Sequence, residues 1–461
     1  MTLYNVKFLF VLLIGALMLQ AFQCGSPEFT GAKLQMQQKN YKEAIRLLEI
    51  EVAKNPGNEE AWFLLGNLKA DEEDYEGMNV AFEAALKISP RYQQDIKNVR
   101  FNRWGQHLNQ GVNYLEQASA DSAHYYEKSV EALKKAAAAW PDTALTYKYI
   151  GYAYNNKGDF KEAIAYYKKA WEMGKDVEAL KRAANLHIHQ GSEHKLKFEQ
   201  ENADALKGAR NLAEVKQNTR KSDVMRILGA PDNIKKGPRG TKKEDWTYRR
   251  YNLVLTIDND RVTSKTLSAP YTPKIDSSNH KKAMEEFTAA IEALEMAKAE
   301  DPKDNETLRL LLRAYVEADR LDEATTTFRQ AIVNDPNDKV NRYILGVLLR
   351  TKGDYDGAIE QFGEALKIDP EYVDALFDLG ATYYNWGVEL IRAAEDKGEE
   401  PTAFKEKFEK ALPYMEKVQT MKKEDATVWE TLGTIYARLG LQDKAVKAFD
   451  EADKLRKGSN R

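Results

Sequence analysis

Prolines recur at a fixed spacing along much of this chain. Pro302, Pro336 and Pro370 lie 34 residues apart, and Pro56 and Pro90 show the same spacing nearer the N-terminus. The residue before a proline leaves the helical region, so each proline predicts the end of a helix. Between the prolines, apolar residues return at helical spacing in two successive stretches, which predicts two amphipathic helices per period. One such pair cannot bury its apolar face alone, so neighbouring units must stack.

The tract from 59 to 90 shows the period most clearly. Its characteristic large and small residues are Trp62, Leu65, Gly66, Tyr75, Phe82, Ala85 and Pro90. This pattern resembles the tetratricopeptide repeat family, and it returns at 144–177 and in three later registers. The resemblance implies a mainly α solenoid in which each repeat is a helix A followed by a helix B. Counted this way, the chain holds nine repeats between about 25 and 459.

Three of these repeats carry extra residues between helix A and helix B. The third repeat has six, the eighth has 19 and the fifth has 93. We predict that the extra residues lie in the turn between the two helices. The chain then consists of N-terminal repeats over 25–192, an inserted module over 193–275 and C-terminal repeats over 279–459. Two separate superhelices flanking the module are the competing layout.

The inserted module has its own pattern. Residues 193–215 are polar with helical propensity, and 219–232 predicts a short helix with Thr219 as its N-cap and Gly229 as its end. A basic loop follows at 235–243. Three alternating stretches then predict antiparallel strands, near 244–250, 252–257 and 260–266. The module is therefore predicted to be α+β, with two helices and a three-stranded sheet.

The residues of this module resemble the small outer-membrane lipoprotein domain of the SmpA/OmlA type, also called BamE-like. The matching residues are Val224, Leu228, Gly229, Pro231, Asp232, Trp246, Tyr248, Leu253 and Val262. Most of them are packing and turn residues, which identify a fold better than a partner. The resemblance implies a setting in the assembly of outer-membrane complexes.

The N-terminal segment predicts export. Residues 1–23 place Lys7 ahead of an apolar run over 8–22, which is short for a membrane span and suits a signal peptide. Cys24 follows and is the only cysteine, so no disulfide can form within the chain. The site resembles a bacterial lipoprotein box, which implies lipidation of Cys24 and a place in the cell envelope, at the outer membrane facing the periplasm. Ordinary secretion and an uncleaved anchor are the alternatives.

Composition and motifs argue against nucleic-acid binding, catalysis and metal binding. The 69 Lys and Arg residues are interspersed with 72 Asp and Glu residues, so no basic stripe forms. Neither a G-x-x-x-x-G-K-[ST] loop nor an H-E-x-x-H helix occurs.

His187, His189 and His194 are not expected to share a metal, because residues two apart on a helix point about 200° apart. The stretch from Asp354 resembles part of a calcium loop, but Gly363 stands where a bidentate Glu is needed. We expect no cofactor.

The tetratricopeptide resemblance implies a concave surface lined by helix A at its second, fifth, ninth, twelfth and thirteenth positions. Carried onto this sequence, these positions are Lys148, Tyr152, Asn155, Asn156, Arg309, Arg313, Tyr343, Arg350, Phe377, Tyr384 and Asn385. Arg and Tyr are enriched at binding hot spots, so we predict that an envelope protein binds here as a peptide or a helix. The arginines, Tyr343, Phe377 and Tyr384 are expected to be exposed. The Lys/Asn clamp that some members use for a C-terminal carboxylate is not reproduced.

Together, these features favour a non-enzymatic interaction scaffold of the bacterial envelope that assists assembly of outer-membrane or secretion complexes. The alternative is a periplasmic receptor lipoprotein that binds glycan or peptidoglycan through the aromatic residues of the groove. Recovery of bound sugar with the native protein would favour the receptor.

Overall fold

The structure is a computed structural model that describes residues 26–118, 123–397 and 400–458. Cys24 and the signal peptide predicted over 1–23 lie outside these ranges. The chain divides into two compact units, Met1–Ala183 and Ala184–Arg461. Both units are built from successive helix pairs, and nine such pairs occur in the ranges given above.

The first unit holds four helix pairs and the beginning of a fifth helix A. Its helices are α1 (Pro27–Gln37), α2 (Tyr41–Lys54), α3 (Glu59–Asp71), α4 (Tyr75–Ile88), α5 (Gln93–Gln117), α6 (Ala123–Ala139), α7 (Ala144–Lys157), α8 (Phe160–Gly174) and α9 (Val177–Glu201), the last of which continues into the second unit. Local signals set the helix ends. Asp74 Oδ1 accepts a hydrogen bond from the backbone N–H of Gly77 at 2.9 Å, which caps the start of α4. Gly158 ends α7 with a φ of 83°, a conformation that favours glycine.

Helices A and B approach closely where a glycine on A faces a ring on B. A Cβ placed on Gly66 would lie 2.4 Å from the ring of Phe82, and one on Gly151 would lie 2.6 Å from the ring of Tyr167. Both rings are fully buried. A larger residue at either glycine would therefore push the two helices apart.

The second unit contains the remaining helices and one sheet. Its helices are α10 (Ala203–Glu214), α11 (Lys221–Leu228), α12 (Ser278–Glu300), α13 (Asn305–Glu317), α14 (Leu321–Asn334), α15 (Lys339–Thr351), α16 (Tyr355–Ile368), α17 (Val373–Lys397), α18 (Phe404–Met421), α19 (Ala426–Arg438) and α20 (Gln442–Gly458). Its strands are β1 (Asn233–Lys236), β2 (Glu244–Tyr248), β3 (Leu253–Asp258) and β4 (Arg261–Leu267). The predicted fold class, a mainly α solenoid with a small α+β module, is confirmed.

The sheet is antiparallel in the order β1-β2-β3-β4. One of its faces is covered by α10 and α11. On that face Trp246, Leu255 and Ile257 are almost fully buried, and they form one core with Leu212 of α10 and Val224 of α11. The module therefore has a hydrophobic core of its own.

Two details of the module differ from the sequence prediction. The sheet has four strands, because β1 occupies part of the stretch predicted as a basic loop over 235–243. Lysines followed by a Gly-Pro step are typical of a loop. Residues 233–236 nevertheless form a strand, because their backbone pairs with β2. Thr219 is not the N-cap of α11, which begins after Arg220; its hydroxyl instead accepts a hydrogen bond from the N–H of Lys216 at 3.0 Å.

The extra residues of the irregular repeats lengthen helices as well as turns. Helices α9 and α17 have 25 residues each, whereas α3 and α13 have 13. Helix α9 runs through residue 193, where we placed the start of the insert, and ends at Glu201. The extra residues thus do not all lie in the A–B turns. Gly191 and Gly387 do not end these helices, because each glycine packs against a ring of the facing helix, Phe287 or Phe408.

The module is joined to the α9–α12 helix pair at closely spaced points. The side-chain amide of Asn202 donates to the carbonyl of Asp276 at 2.9 Å, and the N–H of Asp276 donates to Asn202 Oδ1 at 2.8 Å. Within the helix pair, His187 of α9 places its Nδ1 2.6 Å from Oε2 of Glu286 on α12. The chain therefore leaves the helix pair after α9 and returns to it before α12 at two adjacent points.

Candidate functional site

The predicted groove residues fall into two sets that belong to different units. The first set lies on α7 and comprises Lys148, Tyr152, Asn155 and Asn156. The second set lies on α13, α15 and α17 and comprises Arg309, Arg313, Tyr343, Arg350, Phe377, Tyr384 and Asn385.

The α7 set is partly engaged by its own neighbours. Lys148 Nζ pairs with Asp176 Oδ2 at 2.7 Å. The guanidinium of Arg182 lies over the ring of Tyr152, 5.3 Å from its centre, although this tyrosine remains 39% exposed. Asn156 is exposed and Asn155 is half-buried. This surface offers one aromatic face and two amides.

The centre of the second set is a carboxylate that sequence reasoning missed. Asp378 on α17 is 9% exposed. The hydroxyl of Tyr343 donates to its Oδ2 at 2.8 Å, and Arg350 Nη1 lies 2.7 Å from its Oδ1. A buried carboxylate needs such donors, and they fix the orientation of both α15 side chains. Burial, followed by the charge of Asp378, raises the pKa of Tyr343.

A second acidic residue on α17, Asp374, pairs with Arg309 of α13. Arg309 Nη2 lies 2.6 Å from Asp374 Oδ2. Beside this pair, burial and then the charge of Asp374 raise the pKa of Tyr372 to about 12. Asp374 and Asp378 are one helical turn apart and face two arginines from other repeats. That acidic spacing on a groove helix is the signal that could have identified them.

The expectation of full exposure was wrong for four of the groove residues. Tyr343 and Arg350 are half-buried because they bind Asp378. Phe377 is half-buried because it packs against the core formed by α17 to α20. The ring of Tyr384 stacks on Phe408 of α18 with centres 5.3 Å apart. By contrast, Arg309, Arg313 and Asn385 are exposed.

Two of the predicted residues, Arg350 and Asn385, meet at a cleft of about 460 Å³. The rest of its lining comes from the ends of α15 and α16 and from α17, and consists of Thr351, Tyr355, Val388, Glu389 and Arg392. Burial and then Glu389 raise the pKa of Tyr355. Sequence reasoning missed Arg392 because it ended helix A near Asn385, whereas α17 continues to Lys397.

The sequence predicts no metal site. Within residues 26–118, 123–397 and 400–458, no three His, Cys, Asp or Glu side chains gather as a metal site would require. His194 Nδ1 lies 3.1 Å from Asn279 Oδ1, whereas His187 lies against Glu286. Asp354 Oδ1 instead accepts the backbone N–H of Gly357 at the start of α16. Across the same ranges, none of the helices combines the length and apolar character needed to span a membrane.

Comparison with known families decides the classification. The sequence profile of the tetratricopeptide repeat matches residues 29–91, 119–191, 277–339 and 404–460, which together exceed half of the chain. A second profile, described as TPR repeat, matches 346–387. The chain belongs to the tetratricopeptide repeat family. Proteins of this family are interaction scaffolds and are generally not enzymes. The matches leave out 192–276, the stretch that carries the sheet.

Individual relatives are more distant. The chain is 23% identical over 376 residues to tetratricopeptide repeat protein 37 of Xenopus laevis, which covers 81% of this chain. It is 33% identical over 90 residues, 19% of this chain, to the general transcriptional corepressor ssn6 of Schizosaccharomyces pombe. It spans only 19% and 8% of the lengths of these two curated relatives. A crystal structure of MamA is 24% identical, with a TM-score of 0.31, and covers 41% of this chain and 98% of that chain.

Proposed function

We propose that this chain is a lipid-anchored tetratricopeptide repeat scaffold of the bacterial cell envelope. It binds a segment of an envelope protein in the groove formed by α13, α15 and α17, and it assists assembly of outer-membrane or secretion complexes. The observation that carries the binding proposal is the cleft at Arg350, Asn385 and Arg392, beside the buried carboxylate of Asp378.

The geometry favours a partner segment that brings carboxylates. Asp378 holds one guanidinium nitrogen of Arg350, which leaves other donors of the same planar group available at the cleft. Arg392 is exposed, and no carboxylate lies within 4.0 Å of it in the described part of the chain. Arg313, on α13, is exposed as well. Arg350 is already oriented by Asp378. It therefore loses little side-chain freedom when a partner binds, which raises affinity.

The envelope setting depends on two resemblances. The segment around Cys24 resembles a lipoprotein box, and the module between α9 and α12 resembles the SmpA/OmlA type. Both resemblances point to the outer membrane of a bacterium. Replacing Cys24 by Ala should leave the protein exported and should release it from the membrane fraction. Retention of that variant on membranes after a salt wash would contradict the lipid anchor.

The groove is tested by capture of partners from envelope extract with the tagged full-length protein. A variant with Arg313→Ala, Asn385→Ala and Arg392→Ala should lose the captured protein, because these exposed side chains supply the donors. Arg329→Ala is the matched control, since Arg329 is exposed on α14, a B helix. Capture that survives the triple variant would place the binding site elsewhere. Sugar recovered with the wild-type protein would favour the glycan receptor instead.

A further inference from the structure

The two edges of the module's sheet are protected differently. At the β4 edge, the N–H of Val262 donates to the carbonyl of Thr219 at 2.9 Å, and the N–H of Asn218 donates to the carbonyl of Val262 at 2.8 Å. The segment before α11 therefore covers the first part of β4. Further along the strand, Lys265 Nζ donates to the carbonyls at the end of α10.

Among the residues that the structure describes, none covers the β1 edge in this way. All four residues of β1 are exposed. The N–H of Gly237 donates to the carbonyl of Lys243 at 2.8 Å, so in the alternating antiparallel ladder Lys235 and Gly237 direct their backbone groups toward β2. The backbone N–H and C=O groups of Ile234 and Lys236 therefore point away from the sheet. An exposed edge of this kind is a template for another strand.

The side chains of this edge are also suited to a partner. Ile234 pairs in register with Trp246, so its side chain lies on the face that α10 and α11 cover elsewhere. It nevertheless remains 46% exposed, whereas Trp246 is 2% exposed. An added strand would bury Ile234 by placing an apolar side chain beside it.

The hairpin that joins β1 to β2 is strongly cationic. Residues 235–243 contain five cations, which are Lys235, Lys236, Arg239, Lys242 and Lys243. All five are exposed, and in the described ranges none has a carboxylate within 4.0 Å. The two neighbouring acids on β2 are already bound. Glu244 accepts from Lys221 and Trp246, each at 2.8 Å, and Asp245 accepts from Thr256 at 2.8 Å.

This hairpin has a defined conformation. Besides the bond between Gly237 and Lys243, the N–H of Thr241 donates to the carbonyl of Pro238 at 3.1 Å. The Thr241 hydroxyl donates to the same carbonyl at 2.7 Å. The cations are thus held beside the open strand.

We propose that the open edge of β1 and its cationic hairpin form a docking site for an extended acidic segment of a partner protein. The segment adds as a fifth strand, its backbone bonds to Ile234 and Lys236, and its carboxylates meet the five cations. Exposed backbone groups and an exposed isoleucine distinguish this partner from anionic lipid, which would use the charges alone. The site is separate from the groove and does not depend on it.

The probe is a fluorescein-labelled ten-residue peptide of alternating Val and Glu, titrated with the purified full-length chain and followed by anisotropy. The control peptide has the same sequence with every backbone nitrogen N-methylated, which keeps the charge and removes the backbone donors on both edges. The wild-type chain should bind the first peptide and should bind the second at least about tenfold more weakly, because strand addition depends on main-chain bonds. Equal binding of the two peptides would overturn strand addition.

A matched pair of variants locates the site. Lys236→Gln removes one exposed charge and should weaken binding about twofold. Lys236→Pro removes the same charge together with an outward N–H, a change that edge strands tolerate, and should weaken binding at least about tenfold. Equal affinities of the two variants would contradict the assigned edge. Binding of phosphatidylglycerol vesicles without binding of the peptide would also refute the proposal and would make the hairpin a lipid contact.

Discussion

The groove of the C-terminal repeats and the β1–β2 hairpin both present cations, but they hold them differently. In the groove, Arg309 pairs with Asp374 at 2.6 Å and Arg350 pairs with Asp378 at 2.7 Å. In the hairpin over 235–243, five cations have no carboxylate within 4.0 Å among the residues that the structure describes. The repeats therefore orient two of their arginines in advance, whereas the hairpin leaves its charges unpaired.

This difference suggests two kinds of recognition. An arginine fixed by its own carboxylate has already lost side-chain freedom, so it contributes direction and specificity at short range. Unpaired cations attract an acidic segment over roughly one Debye length, about 8–10 Å at moderate salt, and lose this attraction as salt rises. We therefore expect partner binding in the groove to depend on geometry and binding at the hairpin to depend on charge.

Removing the module should separate the two sites completely. Deleting 203–275 and joining Asn202 to Asp276 through a short Gly-Ser linker should abolish binding of the alternating Val/Glu peptide. Capture of the groove partner should be unchanged. The two ends already hydrogen-bond to each other at 2.8 and 2.9 Å, so closing the loop costs little.

The measurements are peptide anisotropy, partner capture and hydrogen exchange of α9 and α12 in the deleted chain. Protection of these two helices should persist, because their packing at His187 and Glu286 lies outside the deletion. Loss of that protection would show that the module is required for folding of the helix pair. Loss of groove capture with intact protection would show that the two sites depend on each other.

Removing the buried carboxylate of the groove should have the next largest effect. Asp378→Ala should destabilise the second unit by about 3 kcal/mol, because it leaves the hydroxyl of Tyr343 and the charge of Arg350 without their partner. Asp374→Ala is the matched control one helical turn away. It should cost no more than about 1 kcal/mol, because Arg309 is 59% exposed.

Urea unfolding followed by hydrogen exchange of α15 and α17 measures both variants locally, which suits a repeat protein whose units open separately. Equal losses from Asp378→Ala and Asp374→Ala would contradict the distinction between a buried and an exposed ion pair.

Alkaline pH should weaken the packing of the repeats at Tyr372. The pKa of Tyr372 is raised to about 12 from an ordinary value of 10 by burial and by Asp374. The unfolded chain therefore ionises this tyrosine first, so its contribution to stability is complete below pH 10 and declines as the pH rises from 10 through about 12. Tyr372→Phe should reduce the loss of stability across that window, measured as the urea midpoint at each pH. An unchanged slope would mean that Tyr372 ionises equally in both states.

Repeat patterning allowed most of the helices to be predicted, because most repeats carry a proline after helix B and characteristic glycine and aromatic positions. The lengths of α9 and α17 were not predictable in the same way. Each of these helices continues past a glycine, Gly191 in α9 and Gly387 in α17, at which a Cβ would meet the ring of Phe287 or Phe408 on the facing helix. Contacts with a neighbouring helix therefore decide where each helix ends. Strand β1 was missed for a related reason, since its order comes from pairing with β2 and its residues favour a loop.

The candidate groove shows the same limit. A family position assigns a residue to the concave face, but it does not show which side chains other repeats cover. Tyr343 and Arg350 both bind Asp378, 35 and 28 residues further along. The ring of Tyr343 also packs against Phe362 and Tyr372, with centres 5.8 and 5.3 Å away. Arg392 joins the cleft only because α17 continues beyond the family's repeat length. Both facts depend on tertiary contacts that a single repeat does not encode.

Neutralising the hairpin should have the smallest effect on stability, and the sign of that effect tests the comparison. A variant with Gln at the five cationic positions between 235 and 243 should leave the module as stable as before or stabilise it, by no more than about 0.5 kcal/mol, because unpaired like charges repel one another. The gain should be larger at low salt, where repulsion is less screened.

Hydrogen exchange of β1 and β2 at two salt concentrations measures this change in stability. Lys281→Gln and Lys303→Gln, at exposed sites outside the module, are the controls. A loss of more than about 1 kcal/mol would mean that these cations have partners within the chain after all. The hairpin would then resemble the groove, and the peptide site at β1 would lose its electrostatic basis.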